Sequence, residues 1–470
     1  MRELIKSFFS FGLATVIERV IAFLLLPIYT RYFTTAEFGV IDLITVVIGI
    51  IIIFAHLQLE TSLQRYYFDY EGDEKNLFIS TIVITMTILS VILTIILTAT
   101  STLISDLVLK NAQYSNLYKL AAVQIPFTNY SMLALVILRY EKKNKLFTIM
   151  IVVKMLITVL FTLVFVAWFK MGLNGVFYAQ LLGLVVSSVL LFFSIREFST
   201  FKISKDLLKK AFAYAIPQFP ARIGSVLLTY ANRFFMVGYL TLSAIGIYSL
   251  SLKLASVLQV VYAAFVMAWA PFMFEQRKKE NHKEVFARVL LLTASPLFLL
   301  VSVIAIFSKE LVYIAASPKF LTAHHYLGAL CLYFALFIFK EIVDIGPKFT
   351  EKTQYLSYTF FLSVVVNLVS LYFSVKLYGI EGVVYSMLLT NTVLLIISWA
   401  ISNKLYYIPY NIWQFILMAL PAFLLSVLTM YMMPSLLVKM LILILVTIYY
   451  GIACLKYFKQ FKSSNNIYKA

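Results

Sequence analysis

Five basic side chains fall inside stretches that otherwise read as membrane-spanning helices: Arg19, Lys154, Arg222, Arg233 and Lys253. A cation in hydrocarbon costs at least about 2.5–3.5 kcal/mol, so a chain keeps one only where water, a counter-charge or a ligand meets it. The sequence offers one deep acid, Glu18, to offset them. Arg222 and Arg233 are eleven residues apart, which is three helical turns, so they share a face about 16 Å apart along the axis. Guanidinium forks match phosphate oxygens in pairs, and lysine adds a compact point charge. The chemistry these residues suit is reception of an anion in a wet cavity. Lys154 and Lys253 could equally snorkel to an interface. Glu18 and Arg19 are adjacent on one helix and do not face each other.

Other reactive groups form no recognisable centre. The four histidines, His56, His282, His324 and His325, lack metal-ligand spacing with cysteines or carboxylates. Asp69, Glu71, Asp73 and Glu74 read as a solvated turn, and no Walker sequence is present. Cys331 and Cys454 lie in separate apolar runs and predict no disulfide framework. No catalytic residue, cofactor or metal is expected. The protein reads as a transporter and not as an enzyme.

The elements that must position the cations are membrane helices. Of 470 residues, 62% are hydrophobic and 13% charged, and mean hydropathy is +0.93. Such a chain cannot cover a water-soluble surface. Apolar runs predict fourteen helices, among them 8–30, 38–58, 211–239, 244–272, 354–375 and 379–402. With the N-terminus inside, cytoplasmic segments carry about three times the Lys and Arg of the opposite side, as the positive-inside rule requires. Both termini are then cytoplasmic. The net charge of +18 follows from loops facing anionic lipid, and nucleic-acid binding is not expected. The N-terminal run continues through Glu18 and Arg19 without a small-residue cleavage site, so it reads as an uncleaved first helix.

The chain also resembles itself. GLNGVFYAQLL (172–182) returns as GIEGVVYSMLL (379–389), and the same offset of 207 pairs Tyr32 with Tyr239, Gly39 with Gly246 and Leu43 with Leu250. EKKNKL (141–146) matches EKTQYL (351–356) at a slightly larger offset. Two parallel six-helix lobes are expected, 1–200 and 201–407, with helices 13–14 and a cytoplasmic tail over 408–470. The stretch 196–210 predicts an amphipathic interfacial helix between the lobes. Pro27, Pro217 and Pro220 are expected hinges in the first helix of each lobe, and Pro126 and Pro271 are expected interruptions elsewhere.

Several segments carry a family resemblance. LLPIYTRYFTTAEFGVIDL (25–43), LETSLQRYYFD (59–69), LRYEKKNKL (138–146) and GLNGVFYAQLLG (172–183) resemble the N-terminal lobe of polysaccharide exporters. The stretches 215–256 and 348–389 resemble the C-terminal lobe. The chain is similar to the multidrug/oligosaccharidyl-lipid/polysaccharide exporter superfamily, and within it to Wzx-type O-antigen flippases. The resemblance implies an all-α, MATE-like fold in the bacterial cytoplasmic membrane. It implies inversion of an undecaprenyl-pyrophosphate-linked oligosaccharide, an O-antigen, capsule or other surface unit, from inner to outer leaflet by alternating access. Partners are then that lipid-linked glycan, membrane lipids and other membrane proteins of polysaccharide assembly. Helix 7 of such proteins often carries an Asp-Arg pair where this chain has Asn232-Arg233, so Arg233 is expected to lack a local counter-charge. A drug or cation antiporter would need cavity carboxylates, and a membrane-embedded glycan polymerase or ligase would need a large outer loop. The sequence displays neither.

Overall fold

A computed structural model describes residues 23–352, 354–432 and 434–466. Every regular element in them is helical, and eleven helices are long and apolar enough to cross a membrane. This is a multi-pass membrane protein. The described chain divides into two compact units. Unit one runs to Val237 and includes Thr241–Gly246; unit two holds Gly238–Leu240 and everything from Ile247 onward.

In unit one, α1 (23–32) leads to α2 (Thr35–His56), α3 (Leu59–Tyr66), α4 (Gly72–Ala99) and the short α5 (Ser101–Leu109). Then follow α6 (Ser115–Tyr140), α7 (Asn144–Thr162), α8 (Gly172–Ile195), α9 (Lys205–Ala215) and α10 (Phe219–Tyr239). Thr34 starts α2 with a capping box, its hydroxyl accepting from the Glu37 N–H while the Glu37 carboxylate accepts from the Thr34 N–H. Leu57 and Gln58, both left-handed, end α2 and turn the chain into α3.

Lipid tails are as apolar as leucine, so helices hold together by close packing and polar bridges. α6 packs between α4 and α8, and α7 packs on α8. Asn129 donates to Ser90 at 2.8 Å, joining α6 to α4, and Ser131 meets Ser188 at 3.0 Å, joining α6 to α8. Other hydroxyls bond their own helix, as Thr81 does to the Leu77 carbonyl and Thr162 to that of Thr158. Such back-bonding satisfies polar atoms where no water is available.

Unit two contains most of α11 (Leu242–Ala255), then α12 (Val257–Gln276), α13 (His282–Ile306), α14 (Ser308–Ala315) and α15 (His324–Val343). It continues with α16 (Ile345–Phe349), α17 (Gln354–Leu405), α18 (Ile412–Tyr431) and α19 (Leu436–Asn466). α13 packs against α15, α18 and α19, and α15 against α17. The 52-residue α17 is broken at Gly379, where φ 59° and ψ −128° reverse the chain. Asn367 donates to Thr390 at 3.2 Å across the two arms.

Some expectations change on inspection. The expected helix 244–272 is a single apolar span, Leu242–Gln276, with a one-residue turn at Ser256 between α11 and α12. Pro126 and Pro271 do not interrupt their helices; α6 and α12 run through them, because neighbouring groups tolerate one lost backbone bond in a membrane helix. The stretch 196–210 is helical only from Lys205, where Ser204 caps α9, after a 3₁₀ turn at Arg196–Phe198.

Candidate functional site: the cationic helix α10 and its acid on α2

α10 carries two of the expected cations. The helix is set off from α9 by a 3₁₀ turn, Ile216–Gln218, that contains Pro217; Pro220 then sits in the first turn of α10. Proline is tolerated there because first-turn N–H groups have no intrahelical partner. The helix changes type, from α to 3₁₀ and back, at Pro217. Pro27 lies inside α1, which stays helical through it.

α10 runs antiparallel to α2 and touches it at three levels. Phe219 meets Phe54 edge to face, with ring centroids 5.4 Å apart. Tyr230 lies over Gly49, whose missing side chain leaves room for the phenol; a Cβ there would stand 3.0 Å from the hydroxyl. At the third level, the Arg233 Nε donates to Asp42 Oδ2 at 3.4 Å, and Nη1 donates to the Thr229 carbonyl at 3.3 Å. Arg233 is 8% exposed and Asp42 6%. The pair is therefore a desolvated ion pair, whose attraction is strong because little water screens it.

This overturns two readings of the sequence. Glu18 is not the one deep acid, and Arg233 does not lack a counter-charge: Asp42, on a helix 191 positions earlier, supplies it. The Asp-Arg pairing absent from the Asn232-Arg233 dipeptide is made through space. Asp42 is inside the apolar run 38–58, where averaging hydropathy over a window hides one acid; an acid persisting in such a run was the available signal.

Arg222 and Arg233 share a helix but not an environment. Arg222 is exposed and, among the described residues, makes no ion pair or hydrogen bond. One end of this face is neutralised and the other holds a cation to spare. Asn232 is buried beside Arg233. Lys154 is half-buried in α7, near the close approach to α8 where a Cβ on Gly183 would strike the Thr158 hydroxyl. Lys253 is half-buried in the last turn of α11, in unit two. Both lysines take part in interactions. Glu18 and Arg19 lie outside the described residues.

One end of unit one is held by charge. Glu141, just past α6, accepts from Lys75 and from the Tyr67 hydroxyl, each at 2.7 Å. Burial pushes its carboxyl up, but the hydrogen bonds from Lys75 and Tyr67 and the charges of Lys75 and Lys143 outweigh that and hold it below its ordinary value. Lys210 of α9 donates to Tyr70 at 2.9 Å and lies over the Tyr66 ring, and Ser62 donates to the Ala211 carbonyl at 2.6 Å. These contacts fasten α9 to α3 and the turn that follows it.

The helical architecture defines a class. The structure titled lipid II flippase MurJ, inward closed conformation, superposes with a TM-score of 0.69 over 94% of this chain and 97% of that one, at 15% identity. An inward-facing multidrug resistance MATE family transporter of the MOP superfamily gives 0.64 over 83% and 93%, also at 15% identity. A Vibrio cholerae MATE transporter gives 0.59 over 86% and 96%, at 14% identity. The protein has the fold of these transporters. No curated protein sequence matches it. The polysaccharide biosynthesis protein family matches residues 4–277, more than half of the chain, and the protein belongs to that family. Its place in the exporter superfamily, read from sequence fragments, stands.

Proposed function

We propose that this protein is a flippase that carries an undecaprenyl-pyrophosphate-linked oligosaccharide from the inner to the outer leaflet of a bacterial cytoplasmic membrane by alternating access. Family membership supports a role in polysaccharide assembly, and a fold shared with a structure titled lipid II flippase fits a lipid-linked cargo. The observation that carries the reading is Arg222, an exposed guanidinium without a partner among the described residues, on a helix whose other arginine is paired with Asp42. A bare guanidinium presents a planar fork to pyrophosphate oxygens. Arg222 is the proposed contact, and Arg233, locked to Asp42, sets the pose of α10. Arg19, Lys154 and Lys253 remain candidates for the same anion.

The proposal includes fourteen helices, two six-helix repeats plus two, and cytoplasmic termini. Coincidences at the 207-residue offset support the repeats. α2 starts at Thr35 and α11 at Leu242; α5 starts at Ser101 and α14 at Ser308. Thr34 and Thr241 each cap the helix that follows them. Gly172 and Gly379 share φ +59°.

The test replaces Arg222 by Ala in a strain lacking the native copy, at matched protein levels. Surface polysaccharide should fall at least about tenfold, as expected for one lost charged contact, while lipid-linked glycan accumulates on the inner leaflet. Undiminished export rejects the role of Arg222.

A further inference from the structure

Beside α14, unit two holds a cavity of 460 Å³ with a distinct charge pattern. α14 contributes Lys309, Glu310 and Tyr313, and the start of α19 contributes Leu436 and Lys439. Lys439 places its ammonium 2.7 and 2.8 Å from the two Glu310 oxygens. The lysine is nearly inaccessible at 3%, whereas the carboxylate is 43% exposed. Lys309 is exposed and, among the described residues, makes no ion pair or hydrogen bond. Two ammonium groups against one carboxylate leave one positive charge in excess. His324, at the start of α15, is near enough to feel the charges of Lys309, Lys439 and Glu310. The rest of the rim is apolar and open: Ile314 is 79% exposed, Tyr313 67% and Leu436 62%.

We propose that this cavity binds the phosphodiester headgroup of an anionic membrane phospholipid. A phosphodiester carries one negative charge and matches the excess. Lys309 supplies the ion pair, the rear wall formed by Lys439 and Glu310 donates or accepts toward the glycerol, and the acyl chains lie along Ile314 and Leu436. Lysine suits this task because it acts as a point charge on a flexible stem at a membrane surface. The volume lies in the range typical of small-ligand pockets. The site is independent of the proposed transport role: it involves none of the cations of α10.

The experiment uses the full chain purified in detergent, with thermal unfolding and native mass spectrometry read against three probes. These are short-chain phosphatidylglycerol, short-chain phosphatidylcholine and inorganic phosphate. Phosphatidylglycerol should bind and raise the unfolding midpoint more than phosphatidylcholine, and inorganic phosphate should leave it unmoved. Lys309→Ala should unfold at the wild-type temperature without lipid and bind phosphatidylglycerol at least about tenfold more weakly. Glu310→Gln provides the opposite sign. It strands the Lys439 ammonium, lowers the lipid-free midpoint, and should bind phosphatidylglycerol more tightly than wild type. Equal lipid affinity in Lys309→Ala and wild type would overturn the proposal, as would weaker affinity in Glu310→Gln. A response to inorganic phosphate matching that to phosphatidylglycerol would overturn the lipid assignment.

Discussion

Gly39 of α2 and Gly246 of α11 meet backbone to backbone, and the contact is reciprocal. A Cβ on Gly39 would collide with the Leu242 carbonyl oxygen, and a Cβ on Gly246 with that of Thr35. Leu242 stands 207 positions after Thr35, just as Gly246 stands 207 after Gly39. Beside them Thr35 and Ser243 share a hydrogen bond at 2.6 Å. The crossing has the form of a two-fold contact within one chain, each partner presenting the same surface to the other.

Because both collisions are with backbone, no side chain can move aside to relieve them. Gly39→Ala and Gly246→Ala should each destabilise the protein by about 1–3 kcal/mol, the usual cost of overpacking. Gly238→Ala, with open space at its Cβ position, serves as the control. Thermal unfolding in detergent reads the difference, and equal midpoints for all three would remove the close crossing.

Asp42→Asn leaves the Arg233 guanidinium buried without its charge partner, at a cost of about 3–5 kcal/mol. Replacing both residues by apolar ones of similar volume should recover most of that loss. A double-mutant cycle on unfolding free energy measures the coupling, and additive effects of the single changes would deny the pair.

Gly379 and Gly172 should respond differently to alanine. Gly379 combines φ 59° with ψ −128°, a conformation reserved for glycine, so Gly379→Ala should cost about 1–3 kcal/mol or more. At Gly172 a Cβ meets nothing within 4 Å, so Gly172→Ala meets no steric contact and costs only the backbone strain of its positive φ, about 1–3 kcal/mol. Folded yield and unfolding midpoint check the order.

Glu141 gives a pH dependence with a defined sign. Its folded carboxyl is held below the ordinary value of 4.5, so its stabilising effect is complete above that pH and fades as pH falls below it. The unfolding midpoint of wild type should therefore drop on acidification from pH 5 toward pH 3. In Glu141→Gln that contribution is absent, so subtracting its curve from the wild-type curve should leave a difference that shrinks as pH falls from 5 toward 3.

Composition and the length of apolar runs make a helical membrane fold legible, because lipid demands little else of a sequence. The same simplicity hides where one helix ends: Ser256 divides α11 from α12 without any polar stretch. Arg222 and Arg233 could be found as cations on one face of a helix from their spacing alone. Their different fates could not, since pairing depends on α2, nearly two hundred residues earlier. Asp42 escapes notice because one carboxylate among isoleucines and valines barely lowers a windowed average. The glycines of the crossing are visible as a shared offset, but the carbonyl oxygens they accommodate belong to geometry.

The Arg233–Asp42 pair has a consequence for how the protein is made. At about 5–20 residues per second, a ribosome needs roughly 10–40 s to synthesise the chain between acid and base. For that interval α2 has been delivered while its arginine does not yet exist. Until α10 emerges, the aspartate of α2 lacks the arginine it pairs with in the finished protein. Completion of this pair is therefore paced by a helix that emerges only as synthesis reaches the middle of the chain.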